Sequence, residues 1–346
     1  MKVQVNTSSV PLMVENLKEL KAGTLTKEKL HKTLMHKDYQ MEFQRYTQKG
    51  MPMSTITIKE YEDYLLSCLS LKESQVKNPR LRMVHNELVE FINNIESFDQ
   101  DAVKKLDGNL EIIDTVETTL RNGLDEKTFQ SLETITIVST ISIGNSFGYP
   151  YENYIHFDAK RMKKFLPDDE TLIALIAHEI HHILMNNLFN EIDFKSSKDY
   201  FLVNFSFEGL AVKFNNNALG TLSKAFHPER KVNLIMDMPS WKFLEEDLDS
   251  MFEHLRSDIK RIEENHLSMD EVADLFKEYW MTPNAVSGKT GEKMTLSQYR
   301  VYYMGNEIFG TLYDHYGKDE LFKIIRHPES IAEKFNAVTE KKYHIN

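Results

Sequence analysis

The residues whose types and spacing most clearly suggest a chemical role are His178, Glu179 and His182, in the string His178-Glu179-Ile180-His181-His182. On a helix, residues four apart lie one above the other on the same face, so His178 and His182 can point at one ion. Glu179 is then offset to the side where a metal-bound water would sit. Two imidazole ligands with an adjacent carboxylate suit hydrolysis by a zinc-activated water. The string therefore predicts a Zn²⁺ site with Glu179 as general base.

The sequence around this string predicts a buried helix. Asp168 is a suitable N-cap after Pro167, acidic residues fill the first turn, and no Gly or Pro interrupts until well past Asn187. Apolar residues surround the helix on nearly all sides: Leu172, Ile173, Leu175, Ile176, Ile180, Ile183 and Leu184. Polar groups buried on such a helix need partners, and a metal ion would supply one.

A third candidate ligand lies on the next predicted helix. Twenty-five residues separate His182 from Glu208, which is the one acidic residue in the apolar run Asn204–Val212. Two His and one Glu with an open fourth position are typical of a catalytic zinc site rather than a closed structural one.

Together these residues resemble the gluzincin metallopeptidases. The likeness rests on the histidine string followed by Glu208-Gly209-Leu210-Ala211. The resemblance implies that Glu208, on a helix after the histidines, is the third zinc ligand. The chain is also similar to bacterial families of zinc-dependent peptidases whose function is unknown.

A further stretch, from Tyr302 to Gly317, resembles the Tyr-x-x-Gly helix of gluzincin aminopeptidases followed by a Tyr-Gly helix end. The resemblance implies a catalytic tyrosine that stabilises the tetrahedral intermediate: Tyr302 by position, with Tyr303 as the alternative. The matching motifs span about His178 to Leu321, and the N-terminal half matches none. The Gly-x-Met-x-Asn motif of the exopeptidases is also missing before the zinc helix.

Each candidate residue has a simpler interpretation. His178 and His182 could be satisfied core histidines, Glu208 could form an ion pair, and Tyr302 could be a packing aromatic. His181 fits the zincin geometry less well than its neighbours, which places it behind the ligands or against a neighbouring helix. Asp199 and Asn204 are both candidates to orient a ligating histidine.

Composition sets the wider limits. The 346 residues are 41% hydrophobic and 27% charged, as in soluble globular proteins, and the formal net charge of −11 argues against nucleic acid as a partner. Cys68 is the single cysteine, so no intrachain disulfide can form, and its apolar surroundings predict a buried thiol. Met1–Asn6 has no apolar signal core, and no stretch approaches the roughly 20 apolar residues of a membrane span. We expect a cytoplasmic protein that is not a membrane partner; its oligomeric state is left open.

The expected fold class is α+β, mostly helical, with a zincin-like core formed by a small sheet and the HExxH helix. The alternating, β-branched run Glu133–Ile141 and the run Asn153–Asp158 predict strands. Three regions are expected: an N-terminal helical region at 1–125, a catalytic core at 126–220 and a C-terminal helical region at 221–346. Asn153–Asp158 is the candidate edge strand for pairing with substrate, with the loop Gly144–Gly148 lining the cleft.

The predicted function is that of a zinc metallopeptidase (a hydrolase) acting on peptide or protein substrates. Two alternatives stay open, because HExxH indicates the metal and the base but not the bond that is cleaved. One is a zinc hydrolase acting on a non-peptide amide or ester. The other is a non-catalytic binding protein that the metal stabilises.

Overall fold

In the computed structural model, the described residues are 1–47, 55–100, 103, 106–107, 109–144, 149–162 and 168–345. Residue contacts group the chain into two compact units. Unit 1 contains Met1, Thr115–Glu133 and Ile173–Asn346, and unit 2 contains Lys2–Asp114 and Thr134–Leu172. The division into 1–125, 126–220 and 221–346 follows other boundaries and stays a prediction.

Helices account for most of the described chain, as predicted. The α-helices are α1 (Ser9–Ala22), α2 (Lys27–Leu34), α3 (Lys37–Tyr46), α4 (Ile58–Ser67), α5 (Pro79–Asn93), α6 (Leu110–Gly123), α7 (Glu126–Phe129), α8 (Ala159–Met162), α9 (Asp169–Asn190), α10 (Ser197–Asn215), α11 (Met238–Glu246), α12 (Leu248–Glu264), α13 (Met269–Tyr279), α14 (Arg300–Gly305), α15 (Thr311–Arg326) and α16 (Ile331–Asn336). A π-helical turn, Asn306–Gly310, joins α14 to α15. None of the helices in the described part of the chain is both long and apolar enough to cross a membrane.

Unit 2 contains a four-stranded sheet of β1 (Lys2–Asn6), β2 (Thr134–Thr140), β3 (Tyr149–Tyr151) and β4 (Tyr154–Asp158), in the order β1-β2-β4-β3. Strands β1, β2 and β4 are parallel, with Val3 opposite Ile135 and Ile137 opposite Ile155, and β3 is antiparallel to β4. A small sheet in a mostly helical chain confirms the α+β class.

The sheet corrects the predicted substrate strand. β4 matches the predicted run Asn153–Asp158, but β2 pairs with one of its edges and β3 with the other. Its backbone is therefore already used and cannot take up an added peptide strand. Of the predicted cleft loop, residues 145–148 lie outside the described part of the chain.

The core of unit 2 consists of apolar side chains from α1 to α5 and the end of β2. It includes Val14, Leu34, Leu65 and Ile141. Cys68 is buried in this cluster, and burial raises the pKa of its thiol to about 11. The predicted burial of this thiol is thus confirmed.

Unit 1 contains the helices that carry the candidate ligands. Helix α10 begins at the N-cap Ser196, whose hydroxyl accepts a hydrogen bond from the Asp199 backbone N–H. A two-stranded hairpin that was not predicted, β5 (Asn284–Val286) and β6 (Lys293–Thr295), lies between α13 and α14. Gly317 has φ 74° within α15, so a helical segment ends at Tyr316-Gly317 as predicted.

Candidate metal centre

Helix α9 contains the histidine string and has the predicted start and burial. Asp168 accepts a hydrogen bond from the Thr171 backbone N–H at 3.2 Å, as an N-cap does. Leu172, Ile176 and Ile180 are each no more than 1% exposed. His178 and His182 therefore project from a rigid, buried helix.

The structure brings His178, His182 and Glu208 to one point. The two Nε2 atoms are 3.1 Å apart, and Glu208 Oε2 lies 3.4 Å from that of His178 and 3.3 Å from that of His182. Among the described residues, this is the group of His, Cys, Asp and Glu side chains with the spacing to hold a metal ion.

The triangle fits zinc. Ligand atoms bound tetrahedrally to one zinc ion at about 2.0–2.1 Å lie about 3.3–3.4 Å from one another. The three observed separations of 3.1–3.4 Å are close to this value. Glu208 Oε2 is also buried without a well-aligned hydrogen-bond partner among the described residues, as expected of an atom reserved for a metal ion.

Charge at the centre favours an ionised Glu208. Burial alone would raise the pKa of this carboxyl, but the adjacent imidazoles of His182 and His178 lower it well below its usual range. The Glu208 side chain remains 19% exposed and that of His182 13%, so the centre has a side open to solvent. A water molecule or a substrate group can reach a metal held there.

Two glycines allow Glu208 and the tyrosine helix to approach each other. A Cβ added at Gly209 would lie 2.1 Å from the backbone carbon of Gly305, and one at Gly305 would lie 2.2 Å from the Phe205 carbonyl oxygen. The backbones of α10 and α14 are therefore in direct contact at Gly209, which follows Glu208, and at Gly305, which follows Tyr302 by three residues.

Tyr302 lies at the centre and Tyr303 does not. The Tyr302 ring is nearly parallel to that of His178, with centroids 6.3 Å apart. Burial, followed by the charges of Glu208 and Glu179, raises the pKa of Tyr302 well above its usual value, so its hydroxyl keeps its proton. Tyr303 instead makes a 2.9 Å hydrogen bond to the Thr221 hydroxyl.

Asn216 is a residue that the sequence interpretation missed. Its Oδ1 lies 2.7 Å from His178 Nδ1, so the ring donates this hydrogen bond and keeps the Nε2 lone pair for a metal. The partner of His178 is therefore neither of the predicted candidates, Asp199 and Asn204. The Asp199 backbone N–H donates to the N-cap hydroxyl of Ser196, and the Asn204 amide donates to the Tyr200 carbonyl oxygen at 2.7 Å.

His181 lies behind the ligands, as predicted. Its ring is fully buried, and its centroid is 6.4 Å from that of His182 and 6.2 Å from that of Phe214 on α10. Burial lowers the pKa of His181 well below its usual value, so it is a neutral packing residue.

Two imidazoles and one carboxylate around an accessible point are the ligand pattern of catalytic zinc proteins. The chain belongs to the family described as "Putative zinc dependent peptidase (DUF5700)", whose family model matches residues 30–343. Zinc is thus the metal that the family description gives, in agreement with the sequence prediction. No curated protein and no solved structure matches the chain.

Proposed function

We propose that this protein is a zinc metallopeptidase in which His178, His182 and Glu208 hold the metal. The observation that carries the proposal is the triangle of their three ligand atoms, with sides of 3.1–3.4 Å. The Glu208 Oε2, which faces both imidazoles without a well-aligned hydrogen bond, and the hydrogen bond that orients His178 support the same ligand set.

Zinc bound at this point would lower the pKa of a coordinated water toward about 7 and polarise a substrate carbonyl. Glu179 is half-buried and follows His178 directly in the chain, and its charge contributes to the raised pKa of Tyr302. Its carboxylate takes the proton of the attacking water and passes a proton to the leaving amine.

Tyr302 supplies the hydrogen bond that the reaction needs at the substrate oxygen. Its phenol keeps its proton because burial and two neighbouring carboxylates oppose ionisation. A donor held in place before the reaction stabilises the negative charge that develops on the carbonyl oxygen. The mechanism therefore divides metal binding, proton transfer and charge stabilisation among three helices, α9, α10 and α14.

The proposal is tested by combining elemental analysis with a substrate screen. We expect the purified protein to contain one zinc per chain and to cleave members of a peptide library, as followed by mass spectrometry. His178→Ala, His182→Ala and Glu208→Gln should each lose zinc and turnover together.

The controls separate the alternatives. Acyl esters and small amides run in parallel would show whether the cleaved bond lies outside peptides. A wild-type protein that holds zinc, unfolds on chelation and turns over none of these substrates would be a metal-stabilised binding protein. A wild-type protein that binds no zinc would contradict the proposal altogether.

A further inference from the structure

A buried carboxylate outside the metal centre holds a loop segment in place. Glu307, fully buried in the π-helical turn, accepts hydrogen bonds from three successive backbone N–H groups. Its Oε1 accepts from Thr221 at 2.5 Å, and its Oε2 accepts from Leu222 at 2.7 Å and Ser223 at 3.2 Å. Three successive backbone N–H groups of the segment thus depend on this one side chain for their hydrogen-bond acceptor.

The loop segment packs directly against the π-helical turn because glycines stand at the points of closest contact, where a side chain would not fit. A Cβ added at Gly220 would lie 2.5 Å from Glu307 Oε1, and one at Gly310 would lie 2.2 Å from Ser223 Oγ. The segment Gly220–Lys224 therefore has no room to shift toward the helix.

An ion pair fixes the far end of the segment. Lys213 Nζ, buried within α10, bonds Asp314 Oδ1 at 2.7 Å and Ser223 Oγ at 3.0 Å. The other oxygen of Asp314 accepts the backbone N–H of Lys224 at 2.7 Å. Glu307 in the π-helical turn and Asp314 on α15 thus bind the two ends of the segment.

The near end of the segment leads to Asn216, which bonds His178. Helix α10 ends at Asn215. After it, the Ala218 N–H donates to the Val212 carbonyl oxygen at 3.0 Å, and Asn217 has φ 51°. Leu234 N–H bonds the Asn216 carbonyl at 2.8 Å. The position of Asn216 thus depends on where the chain that follows it is held.

We propose that Glu307 is a positioning residue of the metal centre, which fixes the segment Gly220–Ser223 and thereby keeps Asn216 against His178. This inference rests on the proposed function. Glu307 contacts none of the three proposed ligands, so we expect its effect on the metal to pass through Asn216. Partners that orient a ligating histidine commonly change metal affinity by about 10- to 100-fold when removed.

The test compares zinc affinities of matched variants by competition with a chromogenic chelator. Glu307→Met keeps the side-chain length and removes both carboxyl oxygens, so the backbone N–H groups of Thr221, Leu222 and Ser223 lose their acceptor. We expect its zinc dissociation constant to rise about tenfold or more. The control is Asp258→Leu, which removes another buried carboxylate of unit 1, bonded to the Trp280 indole at 2.9 Å. This control should lose stability and keep its zinc affinity.

A double-mutant cycle tests the route through Asn216. Asn216→Ala should weaken zinc binding, and adding Glu307→Met should weaken it little further, because both remove the same support. Additive losses would show that Glu307 acts by another route and would overturn the inference. An unchanged zinc affinity in Glu307→Met would overturn it as well.

A second variant covers the case in which Glu307→Met does not fold. Gly220→Ala adds one methyl group facing Glu307 Oε1 and changes no charge, so it should displace the segment and also weaken zinc binding. Its dissociation constant staying at the wild-type value would overturn the inference. Failure of the proposed function is distinguishable, because the wild-type protein would then bind no zinc at all.

Discussion

Glu179 differs from the three proposed ligands because it can be changed without removing a metal contact. Glu179→Gln keeps the size and polarity of the side chain but cannot accept a proton at neutral pH. We expect turnover of a cleaved peptide to fall about 10²- to 10⁴-fold, the usual contribution of a general base, while zinc content and melting temperature stay near the wild-type values.

Glu170→Gln, in the exposed first turn of the same helix, is the matched control and should keep full activity. If the Glu179→Gln variant cleaves peptide at the wild-type rate, Glu179 is not the general base. Loss of zinc in this variant would instead make Glu179 a ligand.

The adjacent tyrosines allow a direct comparison of two hydroxyl groups. Tyr302→Phe should lower kcat about 10²- to 10³-fold with little change in KM, because its hydrogen bond forms mainly in the transition state. Tyr303→Phe should keep its rate and lose about 1 kcal/mol of stability, since the hydroxyl that it removes contacts Thr221 and Glu307 and neither of the histidines. Steady-state kinetics and urea unfolding measure both effects, and equal rate losses in the two variants would refute the assignment.

Some residues of the site could be predicted from the sequence and others could not. The spacing of His178 and His182 sets their common direction because helical periodicity fixes it. Asn216 stands between two further asparagines, and only the geometry of the helix end decides which of the three meets His178. The role of Glu307 depends on a loop fold that no local pattern encodes.

At the scale of elements, the contact between α10 and α14 is the most demanding packing feature. A methyl group at Gly305 would overlap the backbone of α10, so Gly305→Ala must separate the two helices. We expect a loss of about 3 kcal/mol or more of unfolding free energy together with weaker zinc binding, because overpacking adds to displacement of Glu208.

Ala211→Gly, three residues after Glu208 on α10, is a useful comparison. It should cost about 1 kcal/mol through lower helix propensity, with zinc affinity preserved. Denaturant unfolding measures the stability of both variants, and chelator competition measures their zinc affinity. A Gly305→Ala protein of wild-type stability would mean that the helices are not in backbone contact.

The π-helical turn introduces a pH dependence of stability. Burial raises the pKa of Glu307 to about 7, against an ordinary value of 4.5, and the groups facing it include Tyr303 and Lys213. Because its folded-state pKa is raised, this stabilising contribution is full below pH 4.5 and is lost as pH rises through about 7. The loss is on the order of 1–3 kcal/mol at most.

Glu307→Gln mimics the protonated side chain and should remove this decline. Urea unfolding of both proteins at pH 5 and pH 8 gives the comparison, in which other titrating groups cancel. A decline of the same size in the variant would assign the pH dependence to a different residue.

The strands show how far local sequence specifies an element. Glu133–Ile141 and Asn153–Asp158 were predicted because β-branched or apolar alternation is visible there, and both form strands. Strand β1 was missed although Lys2–Asn6 also alternates, because five residues at a terminus are a weak signal. Which strand lies at the edge is decided by long-range pairing, so the assignment of β4 as an edge was wrong.

At the scale of the whole molecule, all three proposed ligands belong to unit 1. Metal binding stabilises only the structure that forms the site, by about 4 kcal/mol when free zinc is a thousand times the dissociation constant. Removing zinc with a chelator should therefore increase local opening of α9 and α10. Hydrogen exchange with and without chelator should show faster exchange in these helices, while the paired amides of β2 and β4 in unit 2 keep their protection. Equal loss of protection in both units would mean that the metal supports the whole chain as one cooperative structure, which favours a stabilising over a catalytic role. Unchanged exchange everywhere would argue that no zinc is held by these three residues.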